Sequence, residues 1–244
     1  MSFVGGVGYS NIDLIYSGLD RLPDKGEEIF ARGFSMQFGG GIPATMINLS
    51  RLGVESRIIT FAGHDLFSEF VKKTLNSYPV KTVNLYKGNK MPVVLSSTLL
   101  YCGDRSFISY GMDLNDAVMD EVYENLKGAY VVDMHVGFLD VYKRLKKDGC
   151  IQIFDTGWED DLTLEKYKDY LEIADYYIPN QKEAMKITGT SSVEEAADIL
   201  SEFFSDVTIK MDKEGCLLKN KDGIKIISSV QNVKAIDATG AGDA

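Results

Sequence analysis

Apolar residues recur along the chain at two spacings, and these spacings predict the fold. Apolar runs of about four to eight residues predict buried strands, whereas apolar residues three or four apart predict amphipathic helices. From about residue 55 the two patterns alternate, so we expect βαβ units and a mostly parallel sheet with helices on both faces. The predicted strands are residues 56–62, 129–136, 150–155, 176–179 and 207–211, and the predicted helices are residues 65–76, 137–147, 162–173, 181–187 and 193–204.

Two further regions contain short alternating strands with no helix after them. They are residues 12–38, with a Pro-Asp-Lys-Gly turn at 23–26, and residues 93–110, with a turn at 102–105. We expect both regions to form a small antiparallel sheet that projects from the main one. The predicted fold class is therefore α/β, a three-layer, Rossmann-like and mostly parallel sheet flanked by helices, with a small antiparallel β-sheet that projects from it. A small sheet with one apolar face needs a partner that covers this face, either a bound ligand or a second subunit.

The end of the chain is a glycine-rich turn, ATGAGDA at residues 238–244, after the strand-like residues 233–237. Glycines separated by one small residue let successive backbone N–H groups converge, and such groups at a helix start bind an anion. This suits a chain whose net charge is −10, because the attraction is local. Asp243 in this turn fits a general base that takes a proton from a hydroxyl. An ordinary acidic residue in a first helical turn is an equally good explanation.

Asn180 and Glu183 directly follow the predicted strand at residues 176–179. Glu183 could hold Mg²⁺ through water, because that ion keeps much of its hydration. Asn followed three residues later by Glu is also the pattern of a helix capping box. Taken alone, the pair is better explained by capping.

Three glycines at residues 39–41 precede a helical pattern at residues 42–52. They either let a ligand approach the backbone closely or form a flexible loop at the start of the helix. Asp13 is a charge in an apolar run, either a ligand for hydroxyl groups or a residue on an exposed edge. Trp158 follows a strand end and could stack on a sugar or a base, although packing explains it at least as well.

Several classes of function are disfavoured. The glycines at residues 5, 6 and 8 lack the third glycine of a dinucleotide fingerprint, and a strand-like stretch follows them. His64 and His135 are the only histidines and lie far apart in sequence, so we expect no histidine metal site or triad. Three cysteines without a C-x-x-C pair indicate a reducing, cytoplasmic environment. The net charge argues against nucleic acid, and no apolar run approaches the ~20 residues that cross a bilayer.

Taken in order, these segments resemble the ribokinase-like (PfkB) family of carbohydrate kinases over the whole chain. The specific match is DATGAGDA at residues 237–244, with NQKEA at residues 180–184 upstream of it. Further similar segments are VGYSNID at residues 7–13, PDKGE at residues 23–27, SRLG at residues 50–53 and DRSF at residues 104–107.

The resemblance implies phosphorylation of a hydroxyl on a sugar or sugar derivative, with ATP and Mg²⁺. It also implies that the small sheet is a lid over the sugar and a possible contact of a homodimer. The implied roles are Asp243 as catalytic base; Gly240, Ala241 and Gly242 as an anion hole; Asn11, Asp13, Gly39 and Gly40 as the sugar pocket; Lys210, Gly215 and Asn180 as nucleotide contacts; and Glu183 as the Mg²⁺ residue, through water.

The chain departs from the family pattern in ways that leave the substrate open. Ala44 stands where Asn is common, Asp212 stands where glycine is common, and residues 155–158 stand where many members have Asp-x-Asn-x-Arg. A nucleoside kinase of the same superfamily and a catalytically silent sugar-binding or regulatory protein are therefore alternatives. Because family members continue beyond this motif, we expect residues 1–244 to be a single ribokinase-like domain that lacks its C-terminal part.

Overall fold

The computed structural model describes residues 3–102, 104–111 and 118–230. In chain order its strands and helices are β1 (Phe3–Val7), β2 (Asn11–Ser17), β3 (Gly33–Gly39), α1 (Gly41–Arg51), β4 (Ser56–Thr60), α2 (Leu66–Asn76), β5 (Lys81–Asn84), β6 (Val94–Tyr101), β7 (Asp104–Tyr110), α3 (Met119–Leu126), β8 (Ala129–Met134), α4 (Leu139–Lys147), β9 (Ile151–Phe154), α5 (Leu164–Ile173), β10 (Tyr176–Tyr177), α6 (Gln181–Thr188), α7 (Val193–Leu200), β11 (Val207–Lys210), β12 (Cys216–Asn220) and β13 (Gly223–Ile227). Within this part of the chain, two compact units are present, residues 3–6 with 126–230 and residues 7–125.

The main sheet has six strands in the order β10-β9-β8-β1-β4-β5. Strand β8 pairs in parallel with β1 and with β9, β9 pairs in parallel with β10, and β4 pairs in parallel with β5. Helices connect most of the consecutive strands, so the predicted α/β class with a mostly parallel sheet is confirmed. The interior strands β1, β4, β8 and β9 are rich in buried apolar residues because helices bury both faces of such a sheet, whereas the edge strand β5 has no buried residue.

The first unit also contains a three-stranded antiparallel sheet in the order β11-β12-β13. The sequence pattern predicted only the first of these strands. Strand β13 is exposed at all five residues, and β12 mixes polar and apolar residues, so neither has a clear buried face for a pattern to reveal.

The second unit contains the predicted small sheet, four strands in the order β3-β2-β6-β7. Strand β2 pairs with β3, and β6 with β7, as antiparallel neighbours. The middle pair, β2 and β6, is parallel, so the sheet is mixed where we expected an antiparallel one. The physical reason is that β6 follows β2 only after β3, α1, β4, α2 and β5, whereas an antiparallel pair is usually closed by a short hairpin.

The two faces of this four-stranded sheet differ in an unusual way. Alternation along the strands, with the observed register, places Asn11, Asp13, Ser96 and Thr98 on one face, which we call the polar face. Ser96 and Thr98 are only 6% and 1% exposed.

The opposite, apolar face carries Leu14, Phe34, Met36, Ile108 and Tyr110. Phe34 is 61% exposed and Ile108 is 72% exposed. At these positions hydroxyl-bearing side chains are buried while apolar ones meet solvent, which is the reverse of a sheet packed on a core, although Ile12 on the apolar face is fully buried. Among the helices of the described chain, none has the length and apolar character to span a membrane.

Candidate active site

In the second unit, the structure brings together the residues expected to form a sugar pocket. Register pairs Asn11 with Gly39 and Asp13 with Gln37 across β2 and β3. A Cβ atom added at Gly39 would lie 2.6 Å from Oδ2 of Asp13 and 3.7 Å from Cβ of Asn11. The Asp13 carboxylate therefore lies against the bare backbone of Gly39, in space that any other residue at position 39 would fill.

Gly40 sits at the start of α1 in a conformation that favours glycine. Its φ is 104°, and a Cβ atom there would lie 2.8 Å from the carbonyl oxygen of Tyr9. Gly40 is the N-cap of the helix, supplies no side-chain cap, and no acidic residue occupies the first turn. The first turn of α1 thus carries backbone N–H groups beside the pocket without a competing carboxylate.

In the first unit, Asn180 and Lys210 lie with a further polar residue, Asp155, at the carboxyl ends of three strands. Asp155 directly follows β9, Asn180 follows β10, and Lys210 ends β11. Asn180 and Lys210 form an isolated parallel bridge, and the Lys210 N–H donates to the carbonyl oxygen of Pro179 at 2.9 Å. These ends lie at one edge of the strands, which is where α/β proteins bind ligands.

Asn180 and Glu183 form the capping box of α6, as their spacing predicted. The Asn180 Oδ1 accepts from the N–H groups of Lys182 and Glu183 at 2.9 and 3.0 Å, and Glu183 Oε2 accepts from the Asn180 N–H at 2.9 Å. Glu183 is 7% exposed.

Burial raises the pKa of the Glu183 carboxyl above its usual value, because it disfavours the charged form. The hydrogen bond from the Asn180 backbone opposes this rise, the negative charge of Asp155 adds to it, and Lys210 lowers the pKa again. A buried carboxyl with both a carboxylate and an ammonium group beside it is a polar cluster of the kind found at functional sites.

Lys210 and Asp155 form an ion pair that the sequence analysis did not predict. The Lys210 Nζ lies 2.9 Å from Oδ2 of Asp155, and both side chains are partly exposed. The two residues are 55 positions apart, so only the strand order brings them together.

The turn after Lys210 is held by its own contacts. The Met211 N–H donates to the carbonyl oxygen of Gly215 at 2.7 Å. Asp212, at the position where the family pattern has glycine, has a φ of 50° and accepts from Gln181 Nε2 at 2.9 Å. Its carboxylate therefore anchors the turn to the start of α6.

Trp158 is 59% exposed, and the Lys186 Nζ lies 4.8 Å from the centre of its ring. The ring is thus a cation–π partner at the surface and not a packed core residue. His135 is a half-buried residue whose pKa is lowered by desolvation, and its backbone N–H donates to the Tyr142 hydroxyl at 2.8 Å. Within the described ranges no cluster of histidine, cysteine and acidic residues could enclose a metal ion by itself.

The residues of the glycine-rich turn, Gly240, Ala241, Gly242 and Asp243, lie outside the described residues, as does the predicted strand at 233–237. Their roles as anion hole and catalytic base remain predictions.

The known proteins that this chain resembles in sequence and in fold include kinases of small molecules. The chain is 23% identical over 251 residues to the ribokinase of Lactococcus lactis, covering 100% of this chain and 81% of that protein. It is 23% identical over 259 residues to the deoxyribokinase of Salmonella typhimurium, covering 98% of this chain and 81% of that protein.

Two solved structures share the fold. One is Arabidopsis thaliana ribokinase complexed with ribose and ATP (TM-score 0.78, 22% identity, 100% of this chain and 83% of that chain). The other is adenosine kinase from Sinorhizobium meliloti (TM-score 0.79, 15% identity, 99% and 84%). The sequence profile of the pfkB family carbohydrate kinases matches residues 1–244. The chain therefore belongs to the pfkB family of carbohydrate kinases, and is an ATP-dependent phosphotransferase.

Proposed function

We propose that the protein transfers the γ-phosphoryl group of ATP to a hydroxyl of a sugar or sugar derivative. The observation that carries this proposal is the Asp13 carboxylate held against the Gly39 backbone on the polar face of the four-stranded sheet. A carboxylate accepts hydrogen bonds from hydroxyl groups, and the neighbouring Asn11 amide can both donate and accept. Gly39 and Gly40 let a ring approach the backbone closely.

The nucleotide would bind at the carboxyl ends of β10 and β11. Lys210 supplies a positive charge for phosphate oxygens, the turn that ends at Gly215 lies beside them, and Asn180 belongs to the same edge. Phosphoryl transfer depends mostly on positioning and on charge stabilisation, so this small set of groups suffices.

In the proposed step the substrate oxygen forms a bond to the γ-phosphorus and the bond to the β–γ bridging oxygen breaks. The hydroxyl proton passes to the Asp243 carboxylate, and ADP leaves. The backbone N–H groups of Gly240, Ala241 and Gly242 would hold the γ-phosphoryl oxygens.

The carboxylates at this edge fit Mg²⁺, a hard cation that prefers oxygen ligands and keeps several waters. Glu183 would bind it through water, because the Glu183 carboxyl already accepts the Asn180 N–H. When bound, Mg²⁺ neutralises charge on the phosphates. The residues of the chain hold and orient the nucleotide beside it.

We also propose that the four-stranded sheet is a lid over the sugar and that its apolar face is the contact of a homodimer. The exposed Phe34, Met36, Ile108 and Tyr110 form a surface that association would remove from water. Sedimentation velocity at micromolar concentration should give twice the monomer mass, and Ile108→Lys should shift it to the monomer. A wild-type protein that sediments as a monomer at all concentrations would contradict the pairing.

A nucleoside kinase is the second candidate, and the specific observation for it is the exposed Trp158 ring, on which a base could stack. A catalytically silent binding protein is the third, because Ala44 removes an amide from the first turn of α1 and Asp212 adds a negative charge near the phosphates.

The test is ADP release from Mg-ATP against a panel of pentoses, hexoses, polyols and nucleosides. We expect release that depends on a sugar, and we expect Asp243→Asn to abolish turnover while sugar binding by calorimetry is kept. Turnover with nucleosides alone would select the second candidate. Sugar binding without any turnover would select the third, and an Asp243→Asn variant with normal turnover would remove Asp243 as the base.

A further inference from the structure

We propose that Asp155 is a positioning residue of the phosphoryl-transfer site, which holds the Lys210 ammonium group where it binds the nucleotide phosphates. This inference rests on the proposed function, because the proposed function makes Lys210 a contact of the nucleotide phosphates. Asp155 itself was part of a segment where this chain departs from the family pattern, and the sequence suggested no role for it.

Asp155 is fixed by the residues on either side of it. Phe154 is fully buried, and its ring packs against Tyr167, Tyr170 and Tyr177. Thr156 is buried too, and its hydroxyl shares a 2.8 Å hydrogen bond with the Tyr177 hydroxyl. A residue between two such anchors has little freedom, so its carboxylate is a rigid support.

The Lys210 side chain is intrinsically more flexible than the backbone that carries it. The backbone of Lys210 is fixed by the bond from its N–H to Pro179 and by the bridge to Asn180, but the ammonium group lies at the end of four rotatable bonds. The 2.9 Å contact between Nζ and Asp155 Oδ2 selects one of its rotamers. Ordering the side chain before the nucleotide arrives reduces the entropy that binding loses.

The pair can persist when a phosphate binds. An ammonium group has three N–H donors, so it can contact a carboxylate and phosphate oxygens together. The other carboxyl of the cluster, Glu183, already accepts the Asn180 N–H and belongs to the capping box of α6. Asp155 is thus the carboxylate that orients Lys210.

The chain offers a matched control. Asp161 lies in the same connection between β9 and α5, and its Oδ1 is 2.9 Å from the Lys166 Nζ. This ion pair has the same length as the Asp155–Lys210 pair, but it is exposed and does not stand at a strand end. Asp161→Asn therefore removes an ion pair of the same length without touching the proposed site, and Lys166 keeps its second contact, with Glu159.

The experiment compares wild type, Asp155→Asn, Lys210→Met, the double variant and Asp161→Asn. It measures kcat, KM for ATP and for the sugar, Tm, and the affinity for Mg-ADP by calorimetry. We expect Asp155→Asn to raise KM for ATP and Kd for Mg-ADP about tenfold, with KM for the sugar unchanged. In the double variant we expect no further loss beyond Lys210→Met, because the two residues act as one unit.

Three outcomes would overturn the inference. One is an Asp155→Asn variant that binds nucleotide as tightly as Asp161→Asn does. Another is a double variant whose loss is the product of the single losses, since Asp155 would then act independently of Lys210. The third is a fall in the Tm of Asp155→Asn that is large enough to explain its weaker nucleotide binding by partial unfolding. Failure of the proposed function is a separate result: wild type would bind Mg-ADP but phosphorylate no sugar.

Discussion

Asp13 in the second unit and Asp155 in the first are both carboxylates that we propose for a binding site, but their surroundings differ. Asp13 lies against the bare backbone of Gly39, and its position follows from the register of β2 and β3. Asp155 lies against an ammonium group, and its position follows from packing around Phe154 and from the ion pair with Lys210.

This difference indicates what each region can bind. Near Asp13, the space is kept by the absence of side chains at Gly39 and Gly40, and a neutral molecule with hydroxyl groups can fill it. Near Asp155 the ammonium group of Lys210 already contacts a carboxylate and has further donors, so a negatively charged ligand can extend this contact. A region defined by space is sensitive to added atoms, whereas a region defined by charge is sensitive to altered charge.

The largest effect is expected from adding one carbon atom at Gly39. In Gly39→Ala the new Cβ would lie 2.6 Å from Asp13 Oδ2, so the carboxylate must move. Displacing a substrate-positioning group by about 1 Å costs roughly a hundredfold in rate, and we expect kcat/KM for the sugar to fall by about that factor. Steady-state kinetics with the sugar varied at saturating ATP measures it.

Ser35→Ala is the control for this prediction, because Ser35 lies on the same strand and the same face as Gly39 and pairs with Ile15. This variant adds no atom beside Asp13, so we expect kcat/KM within about twofold of wild type. Equal losses in both variants would mean that β3 as a whole is disturbed. An unchanged Gly39→Ala variant would show that the Asp13 carboxylate does not contact the sugar.

The same contrast explains how much the sequence revealed. Most strands and helices between residues 56 and 200 were predictable to within about two residues at most ends, because each is a local apolar pattern with its own period. Strand β5 and helix α3 were not predicted. The capping box at Asn180 was predictable for the same reason, since all its partners lie within three residues of it.

Features that depend on distant residues were not predictable. The Lys210–Asp155 pair joins two strand ends 55 residues apart, and neither residue has a local feature that announces the contact. The parallel pairing of β2 and β6 also depends on the path of the chain between them. The sequence named Asn11, Asp13, Asn180 and Glu183 as candidates, but it did not indicate the ion pair between Asp155 and Lys210.

A smaller effect, and one that separates structure from function, is expected from Glu183→Gln. Glutamine at this position of a capping box can still accept the Asn180 N–H, so α6 keeps its start. The substitution removes a buried charge, and with it the proposed Mg²⁺ contact. We therefore expect kcat with Mg-ATP to fall about tenfold, while Tm at neutral pH stays equal to wild type or rises by about 2 °C.

The pH dependence of Tm tests whether the buried charge of Glu183 destabilises the folded protein. Because the folded-state pKa of Glu183 is raised by burial, its contribution to stability is fully present below the unfolded pKa of about 4.3 and is lost as pH rises through the folded value. A glutamine side chain does not titrate, so the Tm of Glu183→Gln minus that of wild type should increase from pH 4 to pH 8. Glu195→Gln is the matched control, since Glu195 has the same place in α7, where its Oε2 accepts from the Ser191 N–H, but it is exposed. A Tm difference that is flat with pH, or that matches the one of Glu195→Gln, would mean that the buried charge has no cost and that the loss of activity has another origin.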